Sequence, residues 1–77
     1  LIDHNIAIKE GIKYVKEAIK IKGNSTYFLD SLAWGYYKLG WCKSAYKVMF
    51  KIRKSIQKKD TEMMQHWRKI KRCRKKR

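Results

Sequence analysis

The chain has 77 residues, room for one small domain, and 44% of them are hydrophobic, which argues against a disordered polypeptide. Proline is absent and only four glycines occur, so little interrupts a helix. The net charge is +15, and the longest apolar run is far too short to cross a bilayer as a helix.

The charge is unevenly placed. Residues 1–40 carry six Lys against four acids, whereas residues 41–77 carry fifteen Lys or Arg against Asp60 and Glu62. Such asymmetry is suited to phosphate, anionic lipid or an acidic protein. The plainer alternative is a solvated helix face with a frayed terminus. The chain begins at Leu1 rather than Met, and it is therefore read as a piece of a longer protein.

In chain order, Leu1 to about Asn5 reads as the end of a severed element. Ile6 to Lys22 places Ile8, Ile12, Val15 and Ile19 at steps of four, three and four, one face of a helix. Gly11, Val15 and Ala18 form a smaller stripe beside it. Gly23-Asn24-Ser25 breaks this helix; Gly23 can adopt the left-handed conformation of a helix end, and Ser25 or Thr26 can cap the next helix. Tyr27 to Leu39 forms that second helix, with Leu29, Leu32, Ala33 and Tyr36 inward, and Gly40 ends it.

Cys42 to Gln57 is the expected third helix. Its seam is Cys42, Ala45, Met49, Ile52 and Ile56, and Lys43, Lys47, Lys51, Lys54 and Lys58 run down the opposite, wet side. Asp60 is a suitable N-cap for a fourth helix, with Glu62 in its first turn and Met63, Trp67 and Ile70 on its apolar side. Eight of the last ten residues are basic, and their repulsion is expected to fray this end.

The two cysteines, Cys42 and Cys73, fall in expected helices and are read as small buried hydrophobes rather than a disulfide framework. Catalysis has little support. The acids are scattered, His4 and His66 lack a neighbouring nucleophile or carboxylate at triad spacing, and no glycine-rich phosphate loop is present. Cys42, Cys73, His4 and His66 are not in paired metal-ligand spacing, so neither a metal site nor a cofactor is expected.

A period of 34 residues links the segments. Thr26 and Asp60 open the second and fourth helices at that interval; Ala45, Met49 and Ile52 step back to Gly11, Val15 and Ala18; Leu29, Ala33 and Tyr36 step forward to Met63, Trp67 and Ile70. Together with the run Leu29-x-x-Leu32-Ala33-x-x-Tyr36, Gly40 and Ala45, this period resembles the tetratricopeptide repeat family. The segment from Leu29 to Gly40 is most similar to bacterial members, which hints only weakly at a compartment. The chain departs from the pattern where Gly23 and Gln57 stand in place of the usual Pro, and where Met49, Ile52, His66 and Trp67 replace the usual residues.

The resemblance implies an all-α, right-handed solenoid of antiparallel helix hairpins with about four helices. Residues 1–25 would end a preceding repeat, 26–59 would form one complete repeat, and 60–77 would form a C-terminal capping helix with a basic tail. Gly11, Ala18, Leu29, Leu32, Ala33, Tyr36, Gly40, Ala45 and Met49 would then hold the repeats together. The implied function is non-catalytic binding of a peptide or partner protein in a concave groove. Tyr27, Asp30, Trp34, Tyr37 and Lys38, followed by Met64, Arg68 and Lys71, would line that groove and suit a partner with apolar anchors and acidic groups. The alternative is binding of nucleic acid or an anionic membrane by the basic residues 68–77. An apolar edge at Ile8, Ile12 and Ile19 is expected to leave the piece weakly stable or self-associating.

Overall fold

The computed structural model describes residues 4–75, apart from the side chain of His4. Within them are four α-helices and no strand: α1 (His4–Lys22), α2 (Thr26–Lys38), α3 (Cys42–Ile52) and α4 (Thr61–Lys75). The reading of Leu1 to Asn5 as a severed end, and the last two basic residues of the tail, fall largely outside the described residues.

Local chemistry sets each boundary. Gly23 takes φ +92° and its N–H donates to the Ile19 carbonyl at 2.7 Å, which closes α1. Ser25 then caps α2, its Oγ accepting from the Phe28 N–H at 3.0 Å. At the other end of α2, Gly40 takes φ +82°, and the Gly40 and Trp41 N–H groups return to the Tyr37 and Tyr36 carbonyls, both at 2.9 Å. Asp60 caps α4 through a 3.0 Å bond from the Met63 N–H.

Two boundaries differ from expectation. The third helix stops at Ile52 and tightens into a 3-10 turn over Arg53–Ser55, instead of continuing to Gln57. Arg53 bends back so that its Nη1 donates to the Phe50 carbonyl at 2.6 Å, a second bond to an oxygen that already accepts the Arg53 backbone N–H at the helix end. This break lets Ile56 fold onto the core. The basic end of α4 is helical through Lys75 rather than frayed. Cations favour the last turn of a helix, Arg74 sits 4.4 Å from the Tyr46 ring centroid, and Cys73 is tied to α3.

The core belongs to α2, α3 and α4. Ala33, Ala45, Met49 and Ile70 are fully buried, with Ile52 and Met63 beside them and Leu29, Tyr36, Tyr46 and Trp67 closing the edges. The small Ala33 and Ala45 let α2 and α3 approach closely. Cys42 at the start of α3 is disulfide-bonded to Cys73 near the end of α4, with Cα atoms 5.7 Å apart, so these two helices run antiparallel. The bridge corrects the reading of both residues as inert buried thiols. Helical seams alone could not show that positions 31 residues apart meet.

The first helix packs on the opposite side of α2. Ile12 is buried there against Gly35, where an added Cβ would lie 2.8 Å from Ile12 Cγ1. Gly35 makes this close approach between α1 and α2. Gly11 is exposed, with nothing within 4 Å of the place a Cβ would take. Of the apolar edge expected at Ile8, Ile12 and Ile19, Ile12 is buried and the other two are half-buried, whereas Ile6, Tyr14 and Ile21 are exposed, the last 81%. The period is also slightly looser at the helix starts: the caps Ser25 and Asp60 stand 35 positions apart (25 to 60).

Candidate functional site

The groove residues expected from the sequence converge in part, at the seam between α2 and α4. Asp30 lies one turn from Trp34 on α2, and His66 of α4 reaches both. The His66 Nδ1–H donates to Asp30 Oδ1 at 3.0 Å, and the imidazole stacks on the Trp34 indole with centroids 3.9 Å apart. Farther along α4, Lys69 approaches the same indole at 5.7 Å. The contacts advance together along both helices, so α2 and α4 run in the same direction.

Tyr37 stacks on Trp34 at 4.7 Å, and Lys38 comes within 5.9 Å of the indole centroid. The result is a half-buried aromatic surface of Trp34, Tyr37 and His66, flanked by two ammonium groups. Stacking and cation–π contacts of this kind hold the rings in place and leave a surface both apolar and positive at its rim.

Asp30 supports this surface from beneath. It is only 8% exposed and its carboxylate is taken by His66. Burial raises its pKa above the ordinary carboxylate value, while the hydrogen bond and charge of His66 act in the opposite direction. Among the described residues, no buried side-chain nitrogen or oxygen lacks a hydrogen-bond partner.

The other expected groove residues are dispersed. Tyr27 is 70% exposed at the start of α2 and meets Phe28 edge-on. Met64 is half-buried and Arg68 exposed. Lys71 lies over Trp67 at 5.1 Å, and Trp67 packs on Tyr46 of α3, so Lys71 belongs to the α3 side of α4. His66 and Lys69 are the residues that sequence reasoning missed. Their spacing of three places both on one face of α4, but only the pairing of α2 with α4 reveals that this face meets Trp34.

Among the described residues no cluster of three His, Cys, Asp or Glu could hold a metal ion, and no helix is long and apolar enough to cross a membrane. In comparison with known proteins, the chain matches no protein-family model, no curated protein and no solved structure.

Proposed function

We propose that this chain is a non-catalytic protein-interaction module of tetratricopeptide type, in which the surface formed by α2 and α4 receives a peptide or partner protein. The observation that carries this reading is the side-by-side, same-direction packing of α2 and α4, which stacks His66 on Trp34 beside Tyr37 and sets Lys38 and Lys69 at the edge. Helices related by about 34 residues and stacked through small residues are the expected build of such a repeat. The right-handed solenoid and the concave groove belong to this same proposal.

A preorganised aromatic surface with basic rims suits an apolar side chain flanked by carboxylates. The central test is selection of peptides on the wild-type chain, followed by affinity measurement on Trp34→Ala and Lys38→Glu. Loss of binding by both variants, with helicity retained, supports the reading; undiminished binding overturns it. Binding that instead follows duplex or single-stranded DNA and collapses with added salt points to the basic end of α4.

A further inference from the structure

A concave surface lies on the α1 side of α2, away from the Trp34 surface. It is a groove of about 640 Å³ whose apolar lining is Ile12 and Ile19 of α1, Tyr36 and Leu39 at the end of α2, and Trp41 in the following turn. Lys9, Lys13, Lys16 and Lys20 rim it, at steps of four, three and four along α1, with Glu17 as the only acid of the lining among the described residues. We infer that this groove is a docking site for an acidic segment of a partner protein that carries large apolar side chains.

Three observations support that occupant. The first is charge: four ammonium groups against one carboxylate favour an acidic ligand, and Lys16 is held 5.8 Å from the Tyr36 centroid rather than folded away from the groove. The second is preorganisation. Trp41 is 48% exposed, yet it is fixed by the Gly40 turn, by its N–H bond to the Tyr36 carbonyl at 2.9 Å and by stacking on Tyr36 at 5.6 Å. A wall already in place lowers the entropy lost on binding.

The third is the choice of residue at position 41. Trp41 is the N-cap of α3 and makes no side-chain capping bond. Ser, Thr, Asp or Asn there would cap the helix and stabilise it. The chain instead presents an indole to solvent, as a binding surface requires and a folding optimum does not.

Shape separates this partner from the other anionic candidates. A bilayer engages protruding apolar groups, whereas Ile12, Ile19 and Leu39 are recessed between the lysines. A nucleic-acid strand needs open ring faces for its bases, and one face of Trp41 is already taken by Tyr36.

The test uses the whole chain and a synthetic peptide in which Phe and Leu recur at helical spacing among Glu and Asp. Its control is the same peptide with Ser in place of Phe and Leu. Methyl and indole NMR shifts should move at Ile12, Ile19, Leu39 and Trp41. Reversal of Lys13, Lys16 and Lys20 to Glu should weaken binding about tenfold or more, whereas reversal of Lys47, Lys51 and Lys54 on α3 should change it little. Trp41→Ser should weaken binding while keeping α3 capped, which separates lost binding from lost folding. Equal loss from the two reversals, equal binding of the Ser control, or shifts at Trp34 and Tyr37 instead would overturn the inference. So would a response of the groove signals to phosphatidylserine vesicles or an oligonucleotide but not to the peptide.

Discussion

Reduction of the Cys42–Cys73 bridge should cost this small chain a large share of its stability. The bridge closes a loop spanning 31 positions of sequence. The loop-closure entropy removed from the unfolded chain is then worth about 3.5–4 kcal/mol near room temperature. A chain of 77 residues has a net stability on the order of 4–12 kcal/mol. Reduction should therefore lower Tm by roughly 15–30 °C, since each kcal/mol moves a domain of this size by several degrees. The assay is thermal unfolding by circular dichroism with and without reductant, on identical protein. Intact mass after alkylation reports the thiol state, and a non-reducing gel excludes bridges between chains. Superimposable melts, or two thiols that alkylate in the native protein without reductant, would show that the bridge does not hold the fold. Such a bridge persists only where the surroundings are oxidising.

Three further outcomes follow from the packing and the buried acid. Gly35→Ala gains up to about 1 kcal/mol of helix propensity but drives a Cβ into Ile12, so it should destabilise by roughly 0.5–2 kcal/mol; in an Ile12→Ala background the same change should become stabilising, and a double-mutant cycle by urea unfolding reads the sign. Ile70→Ala, at a fully buried position, should cost about 2–5 kcal/mol, whereas Ile21→Ala, at a position 81% exposed, should stay within about 0.5 kcal/mol in the same melts. Asp30 has its pKa raised by burial, so its contribution to stability is present below the ordinary carboxylate value and is lost as pH rises through the raised one. Relative to Asp30→Asn, the wild type should therefore be at its best in acid and lose ground towards neutral pH. A difference that grows towards neutrality would mean that His66 pairing outweighs burial.

Much of the helical order was legible in the sequence because it rests on local rules. The steps of three and four in Cys42, Ala45, Met49 and Ile52 report a buried seam, and Asp60 and Gly40 announce a start and a stop through their own backbone chemistry. What escaped depends on contacts between distant segments. Gly35 reads as an unremarkable gap in an apolar run until Ile12 is set against it. The pairing of Cys42 with Cys73 and the reach of His66 to Asp30 and Trp34 likewise require the relative placement of two helices. The early end of α3 escaped because an Arg side chain, rather than Gly or Pro, helps to satisfy its last turn.

The candidate surface was legible to the same degree. Trp34, Tyr37 and Lys38 share one helix, so their proximity follows from spacing alone. The resemblance fixes a position in a repeat but not the rotation of α4, and that rotation presents Lys69 to Trp34 and Lys71 to Trp67.

The most direct test of the central claim is the affinity of peptides selected on the wild-type chain, measured against Trp34→Ala, Lys38→Glu and the Lys47, Lys51 and Lys54 reversal. The first two variants should lose binding, with unchanged helicity, and the third should retain it. Full binding by Trp34→Ala and Lys38→Glu would contradict the assignment of the α2–α4 surface to partner recognition.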